Sequence, residues 1–150
     1  MCGIVGYVGK KDCTKVLLDS LSKLEYRGYD SAGIAVFEND AIKTKKTKGR
    51  LADEKLKREG WLNGTCGIGH TRWATHGEPS DINSHPHGNA NISIVHNGII
   101  ENYRTIKDFL LKKGYVFESQ TDTETVAKLL DYYYTGDPVD TIIKVLAEIK

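Results

Sequence analysis

The sequence predicts one α+β domain in which short antiparallel strands carry helices. Three observations support this fold class. Segments Ser31–Phe37 and Ala41–Thr47 flank a polar turn, which predicts a β-hairpin. Residues Thr14–Tyr26 place leucines at helical spacing, and the C-terminal third carries further helical patterns. A length of 150 residues is sufficient for one hydrophobic core.

The other elements of the N-terminal half are bounded by turn and cap residues. A short strand is predicted over Ile4–Val8, and Asp12 and Gly28 are expected to cap the helix that follows it. An amphipathic helix is predicted over Leu51–Glu59. The segment Cys66–Trp73 is typical of a strand.

The C-terminal half begins with a polar, proline-containing loop that is long enough to indicate a function. A strand over Asn91–His96 and a helix over Asn102–Lys113 are predicted after it. Thr121–Glu124 is a capping box before a second helix, and Pro138 is suited to begin a third. The helical pattern is still running at Lys150, so we expect a longer protein whose domain is incomplete here.

Composition and charge argue against several function classes. The 21 basic and 20 acidic residues leave a net charge of +1, which gives no overall attraction to nucleic acid or to an anionic membrane. Residues 43–58 are locally basic but contain no aromatic residue for base stacking. Apolar stretches fall far short of the roughly 18 residues that span a bilayer. We therefore expect no nucleic-acid or membrane partner, and three sparse cysteines favour a cytoplasmic location.

Two glycine patterns and a histidine cluster fall short of established ligand motifs. Residues 28–33 have the glycine spacing of a phosphate loop but lack its Lys-Ser/Thr, and Arg72 replaces the third glycine of a dinucleotide fingerprint. His85-Pro86-His87 is suited to chelate a metal but has no second ligand cluster, so metal binding is a minor alternative. No metal or cofactor is expected, and His70 and His96 are predicted to be hydrogen-bonded interior imidazoles.

Position in the chain distinguishes Cys2 from the other cysteines. Cys66 is expected to be a small buried strand residue. Cys13 begins a helix whose dipole favours a lowered thiol pKa, but packing is its expected role. If Met1 is removed, Cys2 carries both a thiol and a free α-amine, whose pKa of about 7.7–8.0 lets it act as the base for its own nucleophile.

Four blocks of sequence carry a specific resemblance that covers nearly the whole chain. They are Cys2-Gly3-Ile4-Val5-Gly6-Tyr7, Leu24-Glu25-Tyr26-Arg27-Gly28-Tyr29-Asp30-Ser31-Ala32-Gly33, Gly69-His70-Thr71-Arg72-Trp73-Ala74-Thr75-His76-Gly77 and His96-Asn97-Gly98-Ile99-Ile100-Glu101-Asn102-Tyr103. Together they resemble the glutaminase domain of the glutamine–fructose-6-phosphate aminotransferases (isomerizing), which are class II glutamine amidotransferases. The resemblance implies an N-terminal-nucleophile (Ntn) hydrolase fold, with antiparallel sheets sandwiched between helices, and assigns residues 1–150 to the first part of that domain, without the sugar isomerase domains.

The resemblance also implies roles for individual residues. Cys2 is the expected nucleophile, and the Asn97 side chain and the Gly98 backbone N–H are the expected oxyanion hole. Arg72 is expected to bind the α-carboxylate of glutamine and Asp122 its α-ammonium group.

Further residues are expected at the same site. Trp73, Thr75, His76 and His85 are implied in or beside a loop that closes over glutamine, and Arg27 lies in one of the matching blocks.

Residue type alone gives different predictions for four of these residues. Trp73 would be a core residue, Asp122 a helix N-cap and Asn97-Gly98 a hairpin turn.

The implied reaction is hydrolysis of L-glutamine to glutamate and ammonia. In the full family enzyme the ammonia converts fructose 6-phosphate to glucosamine 6-phosphate, a step of amino-sugar biosynthesis, and the full-length enzyme is expected to be a homodimer. The alternative is a catalytically silent glutamine-binding or interaction module, owing to truncation or to a retained Met1.

Overall fold

A four-stranded antiparallel sheet is the centre of the N-terminal half. The computed structural model describes residues 2–50, 61–73 and 78–150. The strands of the sheet are β1 (Gly3–Val8), β2 (Ser31–Glu38), β3 (Ala41–Lys48) and β4 (Cys66–Arg72), arranged in the order β1-β4-β2-β3. Two short antiparallel strands, β5 (His87–Gly88) and β6 (Ser93–Ile94), form a separate ribbon.

The helices lie at both ends of the chain. They are α1 (Cys13–Leu24), which continues into a 3₁₀ turn (Glu25–Arg27), α2 (Tyr103–Lys112), α3 (Asp122–Tyr133) and α4 (Pro138–Glu148). The helix predicted over 51–59 lies outside the described residues. No helix in the described part of the chain is long and apolar enough to cross a membrane.

The predicted hairpin is confirmed. Asn39 and Asp40 adopt left-handed φ angles of 51° and 59°, which is the conformation that a tight two-residue hairpin turn requires. Asn and Asp tolerate this region better than other non-glycine residues. The turn fixes the register of β2 against β3, which pair from Glu38↔Ala41 to Ser31↔Lys48.

Helix α1 packs on one face of the sheet, as its leucine spacing predicts. Asp12 caps its N-terminus by accepting a hydrogen bond from the Lys15 backbone N–H at 3.3 Å. The leucines of α1 meet apolar side chains of β2. This core consists of Cys13, Leu17, Leu18, Leu21, Ala32, Ile34, Val36 and Leu62.

The three C-terminal helices form a second core around Ile100, Ile106, Leu110, Leu129 and Val145. The capping box at the start of α3 is present in part. Thr121 accepts from the Glu124 backbone N–H at 3.4 Å, whereas the Glu124 carboxylate binds the N–H groups of Glu118 and Ser119. Glu124 therefore fixes the loop that leads into α3.

Two predictions about strands are wrong. Of the strand predicted over Asn91–His96, only Ser93–Ile94 forms. At its start, the Asn91 and Ile92 N–H groups bind the Asn89 side chain instead of a strand partner. Cys66 is exposed, because it lies at the end of β4 opposite Val8 and on the face away from α1.

Candidate active site

A cavity of about 680 Å³ contains all the expected site residues that the structure describes. Its lining includes Cys2, Arg27, Arg72, Trp73, His85, Asn97, Gly98 and Asp122. These residues come from β1, the 3₁₀ turn, β4, the loops around the β5–β6 ribbon and the first turn of α3. The structure thus brings together residues that are up to 120 positions apart in the sequence. Thr75 and His76 lie outside the described residues.

Strand register places Cys2 beside Trp73. Gly3 pairs with Thr71, so the residue before β1 lies next to the residues that end β4. The Trp73 backbone N–H donates to Cys2 Sγ at 3.2 Å, and the Trp73 carbonyl lies 3.7 Å from the same sulfur. The backbone of Trp73 therefore fixes the position of the sulfur.

Strand alternation directs Arg72 into the cavity. The side chain of Thr71 lies on the α1 side of the sheet, where its hydroxyl accepts a hydrogen bond from the Gly3 backbone N–H. Side chains alternate along a strand, so His70 and Arg72 point to the opposite face of the sheet. Arg72 is only 5% exposed. Burial lowers the pKa of its guanidinium, while the nearby Cys2, Asp30 and Asp122 act in the opposite direction. Arg72 remains a cation because its ordinary pKa is so high.

Asn97 and Gly98 lie in the loop after β6 and face Cys2. The Asn97 Nδ2 donates to the Cys2 carbonyl oxygen at 3.2 Å, and its Oδ1 lies 2.9 Å from His70 Nε2. Gly98 has a φ of 149°, and a Cβ there would lie 2.9 Å from the His96 ring. This backbone conformation and the nearby ring favour glycine at the position.

Asp122 is the first residue of α3, and its carboxylate reaches the loop that follows Asn97. Its Oδ2 accepts from the Ile100 backbone N–H at 2.8 Å. Thr121, rather than Asp122, is the N-cap, so the N-cap prediction for Asp122 is wrong by one residue. Because Thr121 fills that position, the Asp122 carboxylate is directed toward the cavity and Ile100.

Three buried histidines form a stack, of which His70 and His85 line the cavity and His87 does not. The His70 and His85 rings are stacked with centroids 4.3 Å apart, and the His87 ring meets His85 edge-on at 4.8 Å. Burial lowers the pKa of His70 to about 4 and that of His87 to about 3, and it also lowers the pKa of His85. All three rings are therefore neutral at physiological pH. Among the described residues, no group of three His, Cys, Asp or Glu side chains is arranged to hold a metal ion.

Both Cys13 and Trp73 were predicted from residue type to be packing residues, and the structure confirms only the first prediction. Cys13 is buried and burial raises the pKa of its thiol to about 11, which confirms a packing role. Trp73 is 44% exposed, so the prediction from residue type that it is a core residue is wrong. Its ring packs edge-on against Tyr29 at 5.5 Å, and Arg50 lies over Tyr29.

Sequence reasoning did not assign a role at the site to five residues that line the cavity, namely His70, His96, Ile99, Thr121 and Thr123. His70 is the buried strand imidazole that was predicted, but its partner was not foreseen. His96 is partly buried in a loop rather than in a strand. Strand alternation with Arg72 was the one sequence signal that pointed His70 toward the site.

The sequence of the chain is similar to a known domain family and to several known enzymes. The family model of the glutamine amidotransferase domain matches residues 42–138. The chain belongs to the glutamine amidotransferase domain family. Among its relatives, the glutamine–fructose-6-phosphate aminotransferase (isomerizing) of Clostridium perfringens is 59% identical over 147 residues, which are 96% of this chain and 24% of that protein. That of Thermus thermophilus is 50% identical over 153 residues, covering 100% of this chain and 25% of that protein.

The fold of the chain is also similar to that of solved amidotransferase structures. The glutamine phosphoribosylpyrophosphate amidotransferase of B. subtilis matches with a TM-score of 0.83 and 25% identity, covering 100% of this chain and 33% of that one. This likeness confirms the α+β prediction and the Ntn hydrolase fold. The amidotransferase domain described here spans about a quarter of the length of its curated relatives.

Proposed function

We propose that this chain hydrolyses the side-chain amide of L-glutamine, with Cys2 as the nucleophile. The observation that carries the proposal is the position of Cys2 Sγ, which the Trp73 backbone holds at the wall of a cavity that also contains Asn97, Arg72 and Asp122. A nucleophile, a hydrogen-bond donor for an oxyanion and charges of both signs are what amide hydrolysis on an amino acid requires.

Removal of Met1 would leave the α-amine of Cys2 as the general base. The amine takes the thiol proton, and Sγ attacks the side-chain carbonyl carbon of glutamine. Collapse of the tetrahedral intermediate returns the proton to the leaving nitrogen, so that ammonia departs and a γ-glutamyl thioester remains. Water then hydrolyses the thioester, which releases glutamate and restores the thiol.

The oxyanion of each intermediate would be bound by the Asn97 Nδ2 and the Gly98 backbone N–H. Asn97 uses one Nδ2 proton for the Cys2 carbonyl oxygen, and the amide has a second. Because its acceptor oxygen already faces His70, the donor side of the amide faces Cys2. Donors that are fixed before the reaction stabilise the developing charge without a cost of reorganisation.

The charges of the cavity match a zwitterionic amino acid. Arg72 offers a planar fork for the α-carboxylate, Arg27 adds a second cation to the wall, and Asp122 offers an anion for the α-ammonium group. His85 and Trp73 border the same space. We propose that they and the loop with Thr75 and His76 close over the bound substrate and exclude water.

The high identity to aminotransferases of one kind extends this proposal to the whole protein. We propose that the ammonia is used to convert fructose 6-phosphate to glucosamine 6-phosphate in sugar isomerase domains that lie outside residues 1–150. A homodimer of the full-length protein and a cytoplasmic location belong to the same proposal. A reducing compartment suits the mechanism, because Cys2 must remain a free thiol.

Ammonia release from glutamine tests the proposal, with two cysteine variants of the chain as a matched pair. Cys2→Ala is expected to abolish release, whereas Cys66→Ala, which changes an exposed cysteine outside the cavity lining, is expected to retain it. Glutamine binding by Cys2→Ala should persist, since Arg72 and Asp122 are unchanged. Equal turnover in both variants would refute the role of Cys2. Saturable binding without turnover in the unmodified, Met1-free chain would favour a silent glutamine-binding module.

A further inference from the structure

We propose that His70 is a positioning residue for the oxyanion hole, which it orients through the side chain of Asn97. The proposal rests on the proposed function, since it concerns a group that would act during glutamine hydrolysis. His70 lines the cavity, but we expect it to act through Asn97 and not on the substrate, because it is almost fully buried. Its ring is 1% exposed and its Nε2 is 2.9 Å from Asn97 Oδ1.

An asparagine amide can present either its oxygen or its nitrogen to a given neighbour, and only the nitrogen stabilises an oxyanion. The Asn97 amide has two fixed neighbours, the Cys2 carbonyl oxygen and His70 Nε2. The carbonyl oxygen accepts only, so it selects the amide nitrogen on its side. His70 then faces the amide oxygen and must donate to it.

This requirement fixes the protonation state of His70. A neutral imidazole carries one N–H, and here the proton must be on Nε2. The opposite tautomer would place a lone pair of Nε2 against Asn97 Oδ1, and the repulsion would favour rotation of the amide. Rotation would direct Oδ1 at the position that the oxyanion is proposed to occupy. A single proton on His70 thus determines whether Asn97 can act as a donor.

The surroundings of His70 hold the ring in place. Its position on β4 is set by pairing with Ile4 on one side and with Gly33 on the other. The His85 ring stacks on it at 4.3 Å, and His85 is itself held by a hydrogen bond of 3.0 Å to Thr123. The donor is therefore placed by the sheet, the most regular part of the molecule. Asn97, by contrast, lies in a loop that lacks such support.

A double-mutant cycle in the full 150-residue chain separates positioning from packing. His70→Leu removes the donor but retains an apolar side chain of similar bulk, and His70→Gln retains an N–H that can reach Asn97. We expect His70→Leu to lower kcat by about 10- to 100-fold with little change in KM, because removing one oxyanion-hole donor costs about 10²–10³-fold. His70→Gln is expected to recover most of this loss. In an Asn97→Ala background, His70→Leu should change kcat by less than about threefold, since the two act as a unit.

His87→Leu is the control, because it changes another buried histidine of the same stack that bonds Thr121 rather than Asn97. Its effect on kcat is expected to add to that of Asn97→Ala. Additive losses for His70→Leu and Asn97→Ala would overturn the proposal and leave His70 a packing residue.

A measurement without turnover distinguishes failure of this proposal from failure of the proposed function. Nitrogen-15 spectra of the histidine rings report the tautomer directly, and we expect His70 to carry its proton on Nε2. A proton on Nδ1 alone would refute the positioning role, whether or not the chain hydrolyses glutamine. A chain with the expected tautomer and no glutaminase activity would instead contradict the proposed function.

Discussion

The two faces of the four-stranded sheet are built from different chemistry. The face against α1 is mainly apolar, and Leu17, Leu21 and Ile34 there are 0% exposed. The opposite face buries polar groups such as His70 and Arg72, at 1% and 5% exposure. Apolar packing stabilises without fixing hydrogen-bond directions, whereas buried polar groups are costly unless they are paired and then hold one arrangement. One sheet thus supplies stability on one face and orientation on the other.

The largest expected effect is a loss of stability when a side chain between α1 and the sheet is removed. Leu21→Ala would remove a fully buried side chain that packs over β4, and we expect the free energy of unfolding to fall by about 3–5 kcal/mol. Chemical denaturation measures this change. Under conditions where the variant is folded, kcat for glutamine hydrolysis should stay within about threefold of the parent. A large loss of kcat in the folded variant would show that the two faces are not separate in function.

A change at Asn97, whose side chain contacts His70 on the opposite face, is expected to have the reverse effect. Asn97→Ala should lower kcat by about 10²–10³-fold, or about 2.7–4 kcal/mol in the activation free energy, because an oxyanion donor is lost. Its effect on the free energy of unfolding should be smaller than that of Leu21→Ala, at about 1–3 kcal/mol, because both apolar cores stay intact and only the buried Nε2 of His70 loses its partner. Steady-state kinetics and denaturation of one preparation test both statements. Unchanged kcat would contradict the assignment of Asn97.

The buried imidazoles make the polar face sensitive to acid. The folded-state pKa values of His70 and His87, about 4 and about 3, lie below the ordinary value of 6.5. Between pH of about 6.5 and about 4 the unfolded chain therefore binds more protons, and the free energy of unfolding falls as the pH falls. The slope is at most about 1.4 kcal/mol per pH unit for each imidazole.

Replacing one of these rings isolates its share of the acid sensitivity. His87→Gln should reduce the slope of the free energy of unfolding against pH by up to the contribution of one imidazole. Denaturation curves from pH of about 7 to about 5 measure this slope. Equal slopes in the variant and the parent chain would show that His87 is not buried as a neutral ring.

The smallest expected effect concerns the cap of α1. Asp12 accepts hydrogen bonds from the Lys15 N–H and from Trp61 Nε1, the latter at 2.7 Å. Asp12→Ala should lower the free energy of unfolding by about 1 kcal/mol. Thermal unfolding measures this loss, and KM and kcat should not change, since Asp12 belongs to the stabilising side of the molecule. A changed KM would mean that α1 transmits strain to the cavity.

The elements with strong local signals were predictable from the sequence. The leucine spacing of α1, the Asn39-Asp40 turn and the Thr121 cap each depend on neighbours close in the chain, and all are present. The short β6 strand was not predictable in length, because the Asn89 side chain competes for the backbone N–H groups of the segment. Cys66 was mispredicted because burial depends on which face is covered, and alternation alone does not reveal that.

In the candidate site, too, some residues could be predicted from the sequence and some contacts could not. Cys2 was identifiable from its position, and the remaining predicted residues followed from a resemblance between blocks of sequence. Pairings such as His70 with Asn97 or Asp122 with Ile100 join distant segments, and no local pattern encodes them. Trp73 shows the limit most clearly. Its residue type indicated a core position, whereas its backbone contacts with Cys2 depend on the register between β1 and β4.

Covalent labelling of the nucleophile tests the central claim most directly. The intact mass of the chain would be measured before and after treatment with 6-diazo-5-oxo-norleucine, an electrophilic analogue of glutamine, and the adduct mapped by peptide digestion. We predict a mass that lacks Met1 and a single adduct on Cys2, with the exposed Cys66 unmodified. A Met1-free chain that gains no adduct, or gains one on Cys66 alone, would contradict the assignment of Cys2 as the glutamine-directed nucleophile.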